Sequence, residues 1–379
     1  MPALAFATNF LWVLVLGLLG PNLPAIVADL GITYAQAGFF FTLLSLGSLL
    51  GTSLGAIGSD FLSRKLLYGS CVLLLSIGLF ALGLVPGYAL MAIVIFLLSF
   101  AGSPIGAIGQ SIMLGMFPGK REKYLSVFTF FGAAGSLLAP LLVSMNFSFS
   151  LSWRYAFFEA SGLVLFAFVA LLFVRIPALP PGRQEERMSV ILHDKEVVAT
   201  ALLIFFSVAC DLGFSYWLAE YFKAELRASL RISSAVVGVY LIGIIAGRLS
   251  IPFFMRTMGT RGNLLMGLAV SLVGIVAFIF VPSVPLKVAL CALYGFGVGP
   301  VFPLLNAKGT QRFPSRPGAV TGILYGSLSL GGMAFPLWMG FLAGKVGIGT
   351  SYLFCALVLA GLFLSVLFIR SDRTNPATR

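Results

Sequence analysis

The chain has 379 residues, 59% of them hydrophobic and 9% charged, with a net charge of +12. Ordinary soluble domains carry about 25% charged residues, so this chain lacks the polar groups to cover a water-facing surface and reads as a polytopic membrane protein. The basic residues sit between apolar runs, which argues against nucleic acid as a partner and makes membrane orientation the reason for the positive charge.

Runs long enough to cross a bilayer occur at about 4–27, 36–58, 66–84, 88–116, 123–145 and 153–174. They resume at about 197–221, 234–255, 262–281, 286–306, 317–342 and 347–369. The expected fold is all-α, with twelve transmembrane helices. No basic segment precedes the first run, so it is expected as a retained span and not a cleaved signal. The fourth run is longer than a span needs, and Pro104 among Gly102, Gly106 and Gly109 predicts a kink or an early loop. Residues 176–196 form the long polar stretch, with Pro177, Pro180, Pro181, Arg183, Glu185, Glu186 and Arg187. This linker separates residues 1–175 from 197–379, with six runs on each side. With a cytoplasmic N-terminus, the inner loops and tail collect 17 Lys and Arg and the outer loops 6, while Arg248 lies within a span. Both termini and the linker are therefore expected in the cytoplasm.

Gly47, Gly51 and Gly55 recur every four residues in the second run, making a stripe where another helix can pack backbone to backbone. Gly135 and Ala139 in the fifth run, Gly243 and Gly247 in the eighth, and Gly322 and Gly326 in the eleventh repeat the spacing. Cys71, Cys210, Cys291 and Cys355 fall far apart inside apolar runs, without metal spacing, and read as buried small hydrophobes. His193 lies in a polar loop and is expected to be solvated.

The stripe of the second run leads into Asp60, Ser63, Arg64 and Lys65. This stretch resembles the loop between helices two and three of the major facilitator superfamily of transporters, although Ala56 and Ser63 stand where that family usually has glycine. Gly247 and Arg248, followed by Arg256, Gly259 and Arg261, look like a second copy in the matching loop. The stretch from Ser152 through Trp153, Arg154 and Tyr155 to Phe158 is similar to the family's entry to span six. Gly135 with Pro140, and Gly331, Gly332, Pro336 and Gly340, resemble its glycine–proline signatures. The resemblance covers nearly the whole chain. It implies two pseudo-symmetric six-helix halves that rock about a central substrate path. It also implies a cytoplasmic gate latch of Asp60 with Arg64; the plain reading, a helix end with positive-inside charges, is compatible with it.

A charge inside a span is costly and usually faces a cavity or a partner. Asp211 lies some fourteen residues, about 21 Å, into span seven. By the resemblance that span lines the cavity, so Asp211 is a candidate to carry a proton or hold a substrate hydroxyl, with a structural pairing as the alternative. Trp217, Glu220 and Tyr221 follow, and aromatics there either stack a substrate or form the interfacial belt. Arg248, in the inner half of span eight, suits an anionic substrate; a counter-ion to Asp211 and a gate role remain open. Glu159, near the start of span six, is a second proton-coupling candidate, with a structural role favoured. Asn9 and Asn22 in span one, Gln110 and Ser111 in span four, and Tyr294 and Asn306 in span ten prefer the bundle interior. Of these, Asn22, Gln110, Tyr294 and Asn306 join Asp211, Trp217 and Arg248 as substrate-contact candidates.

Gly115 to Lys120 is one residue short of a phosphate loop and no Ser or Thr follows, so ATP hydrolysis is not expected. No nucleophile–base pair or metal cluster stands in a polar setting, and neither an enzyme nor a cofactor is expected. The resulting expectation is a proton-coupled secondary transporter for a small organic solute. It would act as a monomer in a prokaryotic inner membrane, with the bilayer as its main partner. The stretch from Asp211 to Tyr221, with Gly297, Phe302 and Pro303, resembles fucose-type sugar symporters, whereas Arg248 points to an organic anion. Partial agreement of span five with drug antiporters leaves efflux of hydrophobic compounds open. A non-transporting sensor on the same fold is the remaining class, and the short loops argue against it.

Overall fold

The computed structural model describes residues 1–61, 63–117, 120–174, 191, 193–313 and 317–368, with side chains described at all of these except 56–61, 114, 121–122 and 317–319. Most of the linker expected at 176–196 lies outside the described residues, as does the side chain of Asp60. The helices are α1 (Pro2–Gly17), α2 (Leu19–Leu30), α3 (Tyr34–Phe61), α4 (Arg64–Leu84), α5 (Tyr88–Met116), α6 (Arg121–Ser148) and α7 (Arg154–Leu172). After the linker come α8 (Lys195–Ala224), α9 (Leu230–Phe280), α10 (Val284–Val298), α11 (Val301–Gln311), α12 (Pro317–Val346) and α13 (Ile348–Phe368). Among the described residues, 11 helices are long and apolar enough to cross a membrane, with α1–α2 and α10–α11 each taken as one. The longest, α9, has 51 residues and a non-helical break at Gly259, whose φ is 65°. At 1.5 Å per residue it would measure about 77 Å, more than twice a hydrocarbon core of about 30 Å.

Several boundaries have local causes that can be named. Pro21 has no N–H for the carbonyl of Gly17, and α1 ends at Gly17. The expected single first span is therefore two helices meeting at Leu18. The tenth run divides in the same way between Val298 and Val301, at Gly299 and Pro300. Ser63 caps α4, its hydroxyl accepting from the Leu66 amide at 3.3 Å. Asp194 caps α8 by accepting from Glu196 and Val197 at 3.0 and 3.1 Å. The Val197 amide bond, and then the Arg312 guanidinium, hold this carboxyl below the usual carboxylate range.

Of the two alternatives expected near Pro104, the early loop is absent: α5 runs unbroken through the proline to Met116. A side chain at Gly55 would lie 2.7 Å from the Pro104 ring, so the missing Cβ on α3 gives the ring its place. The stripe continues along α3. Cβ atoms at Gly47 and Gly51 would sit 2.6 and 2.0 Å from the carbonyl oxygens of Phe96 and Phe100 on α5. On α9, Gly243 and Gly247 approach the carbonyls of Ala292 and Phe296 on α10 in the same way, each at 2.1 Å. The expectation for span eleven is corrected: Gly322 and Gly326 have nothing within 4 Å. The close approach on α12 is made instead by Gly331, against the Phe205 carbonyl, and by Gly340, against that of Tyr34.

Before the linker, α1 packs on α6, α3 on α5, and α4 on α7; after it, α8 packs on α12, and α9 on both α10 and α13. Contacts between the two sets run through α3–α12, α6–α9 and α2–α8. They gather at one end of the bundle. There Phe41 stacks on Tyr216 with centroids 4.1 Å apart. Thr42 donates to the Met333 carbonyl at 2.7 Å, and Ser144 to that of Arg231 at 3.0 Å. Ser234, fully buried, donates to the Pro21 carbonyl at 2.8 Å. The open glycines Gly322 and Gly326 lie toward the opposite end of α12. One end is therefore sealed, while among the described residues Gly322 and Gly326 stand clear of any neighbour.

Candidate functional site

Asp211 occupies the middle of α8 and is half-buried. The hydroxyl of Tyr240, on α9, donates to its Oδ1. Arg248, two turns beyond Tyr240 on the same helix, is exposed and acts electrostatically on Asp211. The two form no direct ion pair; among the described residues, ion pairs join Arg154 to Asp29 and Arg312 to Asp194 and Glu196. Instead the Arg248 Nε donates to the Gly299 carbonyl at 3.3 Å. That carbonyl is available for a local reason: the residue four positions on is Pro303, which has no N–H to return to it. The bond fixes the arginine stem and leaves its terminal nitrogens for another partner.

Residues from α11 and α12 complete this region. Tyr325 on α12 is 49% exposed, feels the Arg248 charge, and meets Phe302 edge-on at 5.5 Å. Asn306 on α11 is half-buried, and its Oδ1 is buried without a hydrogen-bond partner. Asp211, Tyr240, Arg248, Tyr325 and Asn306 thus bring an acid, a cation, two phenols and an amide to neighbouring helices of a chain otherwise rich in apolar side chains. In lipid, such groups are retained where they bind one another or a solute. Tyr240 and Tyr325 are absent from the sequence-derived candidates.

The other candidates are placed differently. Trp217 is fully buried, and its Nε1 donates to the Pro336 carbonyl at 3.1 Å. Its ring meets Tyr34 edge-on at 5.6 Å, which puts it in the seal between α3, α8 and α12. Tyr294 is fully buried in an aromatic cluster with Phe214 and Tyr240, its hydroxyl without a partner. Tyr221 packs in the same cluster against Phe278 and Tyr352. Asn22 is fully buried; its Nδ2 donates to the Leu18 carbonyl at 3.0 Å, and its Oδ1 has no partner. Asn9 donates to the Phe128 carbonyl at 2.8 Å and ties α1 to α6. Glu159 accepts from Asn146 at 2.9 Å, a link between α7 and α6 away from Asp211. Gln110 and Ser111 are exposed on α5.

A separate cavity of about 210 Å³ lies among α3, α4 and α5. Thr52, Pro104, Ser111 and Arg64 border it, and the Arg64 Nη1 is buried without a hydrogen-bond partner. It does not include Asp211 or Arg248. Among the described residues, no group of His, Cys, Asp and Glu is arranged to hold a metal ion.

Comparison with known proteins agrees with this architecture. The chain is 24% identical over 334 residues to the uncharacterized MFS-type transporter YfkL of Bacillus subtilis, covering 86% of this chain and 83% of that one. It is 22% identical over 361 residues to the sialic acid transporter NanX of Escherichia coli, covering 90% and 86%. Among solved structures, a variant of the nucleoside transporter NupG superposes with a TM-score of 0.82 at 18% identity, covering 97% of this chain and 98% of that one. The family profile described as Major Facilitator Superfamily matches residues 5–336. The chain is a polytopic membrane protein that belongs to the Major Facilitator Superfamily.

Proposed function

We propose that this chain is a secondary active transporter that moves a small organic solute, a sugar or an organic anion, by proton-coupled alternating access. The observation that carries the reading is the pair Asp211 and Arg248, an acid and a cation on adjacent helices, neither closed off by an ion pair. Arg248 favours an anion: its terminal nitrogens are unclaimed and planar, and they match a carboxylate in two-point geometry. The name of the relative NanX joins the two substrate classes, since sialic acid is an acidic sugar. Asp211, bonded by Tyr240 and within reach of the Arg248 field, is the proposed proton carrier.

The moving parts in this reading are residues 1–175 and 197–379, joined by a cytoplasmic linker. The helix pairings before the linker recur after it, and α9 counts as two spans broken at Gly259, which makes twelve. With both termini in the cytoplasm of the inner membrane, the sealed end faces outward and the protein stands open to the inside. The remaining polar candidates, Asn22, Gln110, Trp217, Tyr294 and Asn306, are proposed contacts in this or another state of the cycle. Asp60 with Arg64 is the proposed inner latch, and Glu159 is a weaker coupling candidate than Asp211.

The test is thermal stabilisation of the detergent-solubilised protein by panels of sugars, monocarboxylates and lipophilic cations. Acids, with or without a sugar ring, are expected to raise the melting temperature, and Arg248→Ala is expected to lose that shift. Stabilisation by lipophilic cations alone would favour efflux of hydrophobic compounds and overturn the anion reading. Ligand binding without flux in proteoliposomes would indicate a sensor.

A further inference from the structure

Glu220 is an acid for which the transport reading has no use. It is 4% exposed. The hydroxyl of Tyr34 donates to its Oε1 at 3.1 Å, and its Oε2 is buried without a partner. Tyr34 stands on α3 and Glu220 on α8, so the bond joins helices on opposite sides of the seal. The helices beside it pack closely. A Cβ at Gly340 of α12 would lie 2.4 Å from the Tyr34 carbonyl oxygen and 2.9 Å from the Trp217 ring. The groups that act electrostatically on Glu220 are Tyr34 from α3 and the exposed Lys223 on its own helix; Glu225 acts on Tyr34. From α12 the neighbours are backbone: the Pro336 carbonyl that holds Trp217, and Gly340. Among the described residues, no ion pair compensates a charge on Glu220. In such a place an ionised carboxylate is costly, and a proton removes the charge.

We propose that Glu220 is a proton-binding site of the sealed end, protonated while α3 and α8 are joined and ionised when they part. Parting exposes both carboxyl oxygens to water, and the proton leaves to solvent on that side. The site is distinct from Asp211, nine residues or about 13 Å further along α8. The sign follows from the extra proton held by the closed form. Acid favours closure, and the open-to-closed ratio rises with pH by up to about tenfold per unit.

The experiment places spin labels on Thr33→Cys and Lys345→Cys in the full-length protein in lipid, where the four native cysteines are buried. Distances are recorded from about pH 5 to about pH 9, the range in which a one-proton shift of this kind is readable. No substrate or gradient is used, so the result does not depend on the transport reading. The longer-distance population is expected to grow with pH in the unmodified background. Glu220→Gln, which mimics the protonated acid, is expected to keep the short distance at every pH, while Glu220→Asp keeps a titration with a displaced midpoint. A distance independent of pH, or a Glu220→Gln protein that titrates unchanged, would overturn the proposal.

Discussion

Trp217→Phe isolates one contact of the sealed end. The substitution keeps an aromatic ring in a fully buried site but removes the indole N–H that donates to the Pro336 carbonyl at 3.1 Å. It also shortens the ring that meets Tyr34 at 5.6 Å. A typical intramolecular hydrogen bond contributes about 1 kcal/mol net, and leaving a buried partner unsatisfied costs about 1–3 kcal/mol. That cost falls on both states, because α8 and α12 both follow the linker and move together; the Tyr34 contact crosses the seam, and losing an aromatic pair worth about 0.5–1.5 kcal/mol raises the open population by about 2–13-fold. Ser234→Cys reports this change, because Ser234 is fully buried where α9 meets α2. Labelling of that thiol by a membrane-impermeant maleimide requires opening, so its rate follows the open fraction. The Trp217→Phe protein is expected to label about 2–13-fold faster than the Ser234→Cys parent. A rate no faster than the parent's would mean that Trp217 packs equally well in both states, and the seal would need another explanation.

Three further outcomes follow from the same structure. Gly247→Leu should lower the melting temperature of the solubilised protein, because its Cβ would sit 2.1 Å from the Phe296 carbonyl, an overpacking worth at least about 1–3 kcal/mol. Gly322→Leu, with nothing within 4 Å, should leave it nearly unchanged; equal effects would refute the packing argument. Asp211→Asn should abolish uptake driven by a proton gradient while ligand-induced thermal stabilisation survives, and retained pH-driven uptake would remove Asp211 from coupling. The tie from Asp194 to Arg312 and the α8 cap should be intact above the ordinary aspartate pKa of about 3.9 and weaken as pH falls below it, because the folded carboxyl is depressed. Amide exchange at Glu196 and Val197, corrected for intrinsic rate, checks this, and protection unchanged in acid would contradict it.

Much of the architecture was legible because lipid imposes simple rules. Apolar runs marked the spans, and spaced glycines marked the contact between α3 and α5 and that between α9 and α10. Gly322 and Gly326 show the limit of that reasoning: spacing identifies a smooth face, but not whether a neighbour lies against it in a given state. Asp211 and Arg248 were legible because charge in a span is rare. Tyr240 and Tyr325 were not, because tyrosine serves equally in cores, belts and cavities. Only three-dimensional placement separates Tyr325 beside Arg248 from Tyr294 buried behind Tyr240. Trp217 and Glu220 were noticed as a pattern near Asp211, yet their partners Pro336 and Tyr34 lie over a hundred residues away in sequence. The helix breaks at Leu18 and Gly299 carried a local signal in Pro21 and Pro300, masked by the hydrophobicity of the surrounding runs.

Rocking of two lobes about the Asp211–Arg248 region requires the two ends of the bundle to move in opposition. The direct measurement is a paired distance experiment in lipid, with one label pair at the sealed end, Thr33→Cys with Lys345→Cys, and another at the open end, Ser53→Cys with Gly322→Cys. As pH or a stabilising ligand changes the populations, the open-end distance is predicted to shorten whenever the sealed-end distance lengthens. Two distances that lengthen together, or an open end that never closes, would contradict alternating access in this chain.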